Sequence, residues 1–232
     1  MNKGFDLSAN SLKTLAVCMM FIDHLVWWQL PLASSAAQII HSCCRIVAPI
    51  MCYFVAEGYF HSKNLKKYLF RLFLLAAVSH FPYVCYFNYP YWDATSVAWG
   101  LALGLLSLIV FDNKKIPLFL RIVIVILCCR LAVDANWSYT SVLWILWFGI
   151  SKNRHKVVQI LGFILIGYIF YAFPMCLEKG WIYAYQFAIV LAIPFLLTYK
   201  GRRGERSFLG KRGFYIFYPA HFILLYILRY IV

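Results

Sequence analysis

The sequence predicts an all-α protein, a polytopic bundle of transmembrane helices with a cytoplasmic N-terminus. Of its 232 residues, 64% are hydrophobic and 13% charged, whereas soluble domains carry roughly 25% charged residues. The apolar residues form long runs, and positive charge alternates between the connections. About nine spans are expected, within a range of eight to ten. The whole chain, residues 1–232, is expected to form one integral membrane domain.

Nine apolar runs account for this span count. The fourth and sixth runs are short, which is why the predicted count has a range. The first run follows a short polar segment without a cleavage motif, so we expect it to be retained rather than removed as a signal peptide. In chain order the runs cover residues 12–32, 39–60, 67–87, 96–111, 116–133, 137–150, 157–174, 181–199 and 213–232.

The distribution of Lys and Arg predicts orientation, because cytoplasmic loops are enriched in both. Basic residues occupy the N-terminal segment and every even-numbered connection, whereas the odd-numbered connections contain only Lys179. This alternation places the N-terminus inside and, with nine spans, the C-terminus outside. The net charge of +14 then forms a cytoplasmic collar that faces lipid headgroups or a phosphorylated cofactor. No nucleic-acid partner is expected.

The eight cysteines show no CxxC spacing, and most lie inside apolar runs. This pattern is typical of small hydrophobic side chains. We therefore expect neither a disulfide framework nor a metal site.

Ionisable residues inside the apolar runs mark the candidate site. Asp23 and His24 lie side by side in the first run, where such groups are costly and indicate either a reactive site or a polar contact between helices. His24 lies roughly 18 Å into its run at 1.5 Å per residue. Asp23, Arg45 and His80 lie roughly 16 to 22 Å from the inner face on the same count. These four side chains are therefore expected to share a layer.

A lower layer is expected to hold Glu57 and Arg71, for which a salt bridge between neighbouring helices is the simplest interpretation. His221 lies roughly 12 Å from the inner face by helix rise. It follows Pro219, which removes a backbone hydrogen bond and favours a kink. His221 is either an active-site residue or an interhelical hydrogen-bonding residue.

A general base at His24 needs a partner that fixes its tautomer. Asp23 is a poor direct candidate, because adjacent helical residues point about 100° apart. His80, His221, or Asp23 acting through water remain as candidates.

Three stretches resemble the TraX family. They are Ile22-Asp23-His24, the segment from Arg45 through Ala48-Pro49 and EGYFHSKNLKKY at 57–68 to Arg71, and FYIFYPAH at 214–221. Ala48 stands where the family usually has Phe, a departure that is expected to affect packing. The resemblance implies an acetyltransferase of the bacterial cytoplasmic (inner) membrane, with several spans, whose namesake acetylates the N-terminus of a conjugative pilin. It also implies a distant relation to membrane acyltransferases of the acyltransferase 3 type, which take acyl-CoA from the cytoplasm.

Roles follow from this resemblance and from the charge pattern. The resemblance implies that His24 is the catalytic base and that Arg45, Glu57, Arg71 and His221 are motif residues. In our hypothesis acetyl-CoA is the donor, and Lys66, Lys67 and Arg71 hold its phosphates. Arg45 or a histidine stabilises the oxyanion, Asp23 completes the catalytic group, and Glu57 and His80 bind substrate or are structural. The acceptor is a peptide, a lipid or a glycan.

Two other classes of function fit the same residues. Asp, Glu and His within helices also serve proton relays, so a proton-coupled transporter is the first alternative. The second is a noncatalytic assembly factor for surface fibres.

Overall fold

The computed structural model describes residues 7–202, 204 and 213–230. Within them the chain is helical, with nine helical segments and no named strand. The segments are α1 (Ala9–Gln29), α2 (Ser35–His61), α3 (Leu65–Phe87), α4 (Val97–Asp112), α5 (Leu118–Leu131), α6 (Thr140–Ile150), α7 (Lys156–Lys179), α8 (Trp181–Thr198) and α9 (Phe214–Tyr230).

Each of the nine predicted runs corresponds to one of these segments. The all-α prediction is thus confirmed for the described residues, whereas the count of about nine membrane spans stays a prediction. Most of the basic connection 200–212 and the last two residues lie outside the described part of the chain. The side of the membrane on which the N-terminus lies remains a prediction.

Capping groups explain where several helices begin. Ser8 Oγ accepts a hydrogen bond from Ser11 N at 3.1 Å, so α1 begins before the apolar run does. Asn64 Oδ1 accepts from Lys67 N at 2.8 Å and starts α3. Both side chains satisfy backbone donors that a helix leaves open at its first turn.

The helix α7 continues past the predicted end at residue 174. A wider π-helical turn at Tyr168–Ala172 precedes Pro174, which then lies in the first turn of the segment Phe173–Lys179. Pro174 lacks the N–H that would continue the backbone hydrogen bonds of α7, and prolines and π-helical turns are common causes of such a local irregularity.

The helices are those of a membrane protein. Among the described helices, α2, α3, α7 and α8 are long and apolar enough to cross a membrane, and α4, α6 and α9 are shorter apolar helices. On one face of α3, Phe70, Leu74, Val78 and Phe81 are 50% to 65% exposed. Such a continuous exposed apolar face is suited to contact with lipid.

The chain divides into two compact units, residues 1–51 with 172–232, and residues 52–171. In the first unit α1 packs against the start of α2 and against α9, and α8 packs against α2. Gln38 on α2 donates from Nε2 to the carbonyls of Leu32 and Ile182, at 2.7 and 3.0 Å. These contacts bring α1, α2, α8 and α9 together around the ionisable residues.

The second unit is built on α4, which packs against α3, α5 and α6. A Cβ at Gly104 would lie 2.5 Å from Cδ1 of Ile145, and one at Gly100 would lie 2.2 Å from Oγ of Ser141. A larger residue at either position would therefore force a side chain of α6 to shift, so the two glycines favour the close approach of α4 and α6. Trp144 on α6 is fully buried and donates to the carbonyl of Phe163 at 3.0 Å.

Candidate active site

A pair of histidines joins α1 to α9 in the first unit. Nδ1 of His24 lies 3.0 Å from Nε2 of His221. The two rings are stacked, with their centroids 5.2 Å apart and an interplanar angle of 14°. His24 is 9% exposed and His221 is 2% exposed. The pair is a buried interhelical hydrogen bond.

The backbone fixes which nitrogens carry protons in this pair. Nδ1 of His221 lies 3.2 Å from the carbonyl oxygen of Phe217. Because a carbonyl only accepts, this nitrogen is the donor, and Nε2 of neutral His221 is an acceptor. That Nε2 accepts from Nδ1–H of His24, so neutral His24 has its lone pair on Nε2. The tautomers of both neutral rings therefore follow from one backbone carbonyl.

Aromatic rings surround the pair. The ring of Phe222 lies 4.9 Å from His24 and 4.0 Å from His221, measured between centroids. Phe217 stacks on His221 at 5.1 Å with an interplanar angle of 1°. Hydrogen bonds in such an apolar setting are stronger than in water.

Asp23 lies in a second group, formed by α1, α2 and α8. Its Oδ1 accepts from Nδ1 of His41 at 2.7 Å, and its Oδ2 accepts from Nη2 of Arg45 at 2.5 Å. Arg45 also donates from Nε to the carbonyl of His41 at 3.1 Å and from Nη1 to Oε1 of Gln186 at 3.2 Å. We call Asp23, His41, Arg45 and Gln186 the Asp23 cluster. In it both oxygens of the carboxylate are bound.

Two aromatic side chains border the Asp23 cluster. Tyr185 lies 5.4 Å from the ring of His41, and the guanidinium carbon of Arg45 lies 5.3 Å from the centroid of Tyr185. Trp27 meets His41 edge to face at 5.8 Å. His41 is 1% exposed and Arg45 is 8% exposed. The cluster is therefore a charge pair with a cation–π contact in which Arg45 is buried and the side chain of Asp23 is 18% exposed.

Sequence reasoning missed His41, Tyr185 and Gln186. A signal for His41 was present, because it lies four residues before Arg45 in one apolar run and so on the same helix face. Gln186 is a polar side chain in an otherwise apolar stretch. Its link to Arg45 depends on how α8 packs, which the spacing does not give.

His80 belongs to the second unit. Its Nε2 donates to the carbonyl of Tyr91 at 2.8 Å, and its ring stacks with that of Trp92 at 6.2 Å. His221, His80 and Asp23 were the candidates for fixing the tautomer of His24. The structure places His221 at Nδ1 of His24, and His80 binds the carbonyl of Tyr91 instead.

The predicted salt bridge between Glu57 and Arg71 is wrong. Glu57 pairs with Nζ of Lys152 at 3.3 Å and with Nδ1 of His61 at 3.7 Å. Arg71 is exposed and lies 5.9 Å from the ring of Tyr68, one turn earlier on α3. The prediction assumed that consecutive helices supply the partners, whereas Lys152 comes from the connection between α6 and α7.

Lys66, Lys67 and Arg71 are exposed in the first turns of α3. Three cations within six residues of one helix are able to bind a phosphorylated ligand at the surface. Among the described residues, no group of three or more His, Cys, Asp or Glu side chains is arranged to hold a metal ion.

The fold and the site define a helical membrane protein with ionisable side chains clustered between apolar helices. The chain belongs to the TraX family, since the family model described as TraX protein matches residues 8–229. It is similar to the "Probable fimbrial assembly protein FimC, serogroup H1" of Dichelobacter nodosus, with 28% identity over an alignment of 243 positions that covers 97% of each chain. No solved structure matches the chain.

Proposed function

We propose that the protein is a membrane-embedded acetyltransferase that acts in pilus biogenesis. It moves an acetyl group from cytoplasmic acetyl-CoA to an acceptor on the outer side of the membrane, foremost the N-terminus of a pilin-like peptide. The observation that carries the proposal is the His24–His221 pair, whose tautomers give His24 a lone pair on Nε2. Membership of the TraX family and the fimbrial assembly relative support the link to pili.

In the proposed reaction His24 is general base and then general acid. Its Nε2 takes a proton from the acceptor amine or hydroxyl as that group attacks the thioester carbonyl. The new C–N or C–O bond forms, the C–S bond breaks, and the proton passes to the sulfur to give free CoA. His221 holds the ring of His24 in the required tautomer, as the third group of a triad orients its base.

Arg45 is better suited to positioning than to stabilising the oxyanion. Its guanidinium is bound to Asp23, to Gln186 and to the carbonyl of His41. A donor for a transition-state oxyanion must point at the place where that charge develops. We propose that Arg45 holds Asp23 and α8 in place.

Lys66, Lys67 and Arg71 are the proposed contacts for the phosphates of acetyl-CoA, as their exposure permits. This role requires the first turns of α3 to lie on the cytoplasmic side of the membrane, as the distribution of Lys and Arg predicts. The proposal also includes a location in the bacterial inner membrane, with several spans, and a distant relation to the acyltransferase 3 enzymes.

A noncatalytic assembly factor is the second candidate, favoured by the name of the relative. Such a protein would hold or pass pilin subunits without consuming acetyl-CoA. Its activity in fibre assembly would tolerate loss of the His24 imidazole if the fold survives.

Release of free CoA by the purified protein in detergent tests the proposal. We expect release that depends on a peptide with a free N-terminal amine and falls about 100-fold or more in His24→Asn. Asn keeps an N–H near the position of Nδ1 but removes Nε2. The control is His61→Asn at the end of α2, where the side chain is 68% exposed.

Two outcomes would contradict the acetyltransferase. One is undiminished CoA release by folded His24→Asn protein. The other is folded wild-type protein that neither binds acetyl-CoA nor releases CoA, combined with normal fibre assembly in cells that carry His24→Asn. The second result would establish the assembly factor instead.

A further inference from the structure

The Asp23–His41 pair has no part in the reaction proposed above, although it adjoins the histidine that does. Asp23 is next to His24 in the chain, and its carboxylate binds Nδ1 of His41 at 2.7 Å. A carboxylate and an imidazole at this distance form the orienting unit that prepares a histidine for proton transfer. Arg45 already supplies the counter-charge of Asp23, so His41 adds a hydrogen bond to a carboxylate whose charge is paired.

The proton positions follow from the same argument as for His221. An ionised carboxylate only accepts, so Nδ1 of His41 carries a proton and Nε2 of the neutral ring has the lone pair. In the described part of the chain no hydrogen bond to Nε2 of His41 is found. The groups that face this ring are Asp23 and Trp27 on α1, Tyr185 on α8 and Arg45 on its own helix.

We propose that His41 is a second proton-transfer residue of this site, one that takes a proton from an ammonium acceptor before that acceptor attacks. This inference rests on the proposed acetyltransferase function. Trp27 and Tyr185 add aromatic surface beside His41 on which a cationic group is favoured. The charges of Asp23 and Arg45 cancel, so the attraction for an ammonium group is assigned to these aromatic rings and not to a net negative charge.

The stoichiometry of the reaction explains why a second base is useful. An α-amino group has a pKa of about 7.7–8.0 and is mostly an ammonium ion at pH 7. Its acetylation converts RNH₃⁺ and acetyl-CoA into an amide, CoASH and one proton. Two protons leave the nitrogen, one through His24 to the CoA sulfur and one through Nε2 of His41 to water. An acceptor that arrives unprotonated loses one proton and needs His24 alone.

Two acceptor peptides of nearly the same shape separate these cases. One begins with glycine, and the other begins with aza-glycine, whose terminal nitrogen is unprotonated at pH 7. The variant is His41→Asn, which keeps an N–H near Nδ1 for Asp23 and removes Nε2. We expect its kcat on the glycine peptide to fall about 10-fold or more at pH 7, and its kcat on the aza-glycine peptide to stay within about twofold.

A second measurement holds even if the aza-glycine peptide is a poor substrate. The deficit of His41→Asn on the glycine peptide should shrink as the pH rises through the pKa of the peptide amine, because the acceptor then arrives without the extra proton. Asp23→Asn, which leaves His41 without its orienting carboxylate, should show the same selectivity. His24→Asn should lose activity on both peptides.

Two results would overturn the role of His41. One is a kcat of His41→Asn that falls equally on the two peptides, with a deficit that does not change with pH. The other is an unchanged kcat of His41→Asn on the glycine peptide. Either would make His41 a structural part of the Asp23 cluster while leaving the acetyltransferase intact. If folded wild-type protein releases no CoA with the glycine peptide, the proposed function fails, and the role of His41 fails with it.

Discussion

Arg45 is the residue on which the Asp23 cluster depends most. Its guanidinium binds the carboxylate of Asp23, the amide of Gln186 and a backbone carbonyl. Removing one partner of a buried ion pair leaves the other charge uncompensated, at a cost of about 3–5 kcal/mol. We therefore expect Arg45→Gln to lower the free energy of unfolding by about that amount. Denaturant unfolding in detergent, followed by tryptophan fluorescence, measures the change.

A double variant separates the ion pair from packing. Asp23→Asn with Arg45→Gln should lose clearly less than the sum of the two single losses, because the single variants each strand a charge. Arg71→Gln on the exposed face of α3 is the control and should stay within about 0.5 kcal/mol of wild type. Additive losses would show that the two side chains stabilise the protein independently.

Residue types and positions indicated part of the candidate site. The other residues of these clusters were not predictable, for a physical reason. Asp23, His24, Arg45 and His221 were identifiable because ionisable groups in apolar runs need a partner. Rise per residue gives depth along a helix, but it gives neither the rotation of the helix nor its neighbours. The partner of Glu57, the position of His41 and the link from Arg45 to Gln186 all depend on that missing information.

Among the elements, the helices themselves were the most predictable feature. Apolar runs predicted all nine segments, because an apolar stretch in a membrane must satisfy its backbone hydrogen bonds internally and therefore favours a helix. The ends were less predictable, since they depend on capping groups such as Ser8 and Asn64 and on the π-helical turn before Pro174. Close packing between helices was not predicted at all.

The contact between α6 and α7 shows how small residues govern that packing. A Cβ at Gly162 on α7 would lie 2.1 to 2.4 Å from the indole of Trp147 on α6, whose Nε1 donates to the carbonyl of Gln159 at 2.9 Å. Gly162→Ala must therefore displace the ring and weaken this hydrogen bond. We expect it to cost about 1–3 kcal/mol of stability, measured as a lower midpoint of thermal unfolding in detergent.

Two variants test the cause of that loss. In Trp147→Leu, which removes the ring, adding Gly162→Ala should cost much less than it does in wild type. Leu161→Ala, at a 55% exposed position on the same helix, is the matched control for substitution on α7. A full loss in the Trp147→Leu background would assign the effect to something other than the contact with the indole.

At the scale of the whole molecule, the alternation of charge connects the sequence to the membrane. The basic connections follow α2, α4, α6 and α8, and the connections between them hold few cations. Because Lys and Arg are retained on the cytoplasmic side, this pattern predicts that the N-terminus and the connection after α6 lie inside and the connection after α3 lies outside. The proposed chemistry depends on this arrangement, since acetyl-CoA is a cytoplasmic donor.

Single introduced cysteines test the orientation without removing any basic residue. Asn153→Cys lies in the connection between α6 and α7, and Asp93→Cys lies in the connection between α3 and α4; both positions are exposed. We expect a membrane-impermeant maleimide to label Asp93→Cys in intact spheroplasts and Asn153→Cys only after permeabilisation. The wild type, with its eight native cysteines, gives the background. If only Asn153→Cys is labelled in intact spheroplasts, the protein has the opposite orientation. The proposed phosphate contacts would then lie on the side of the membrane away from acetyl-CoA.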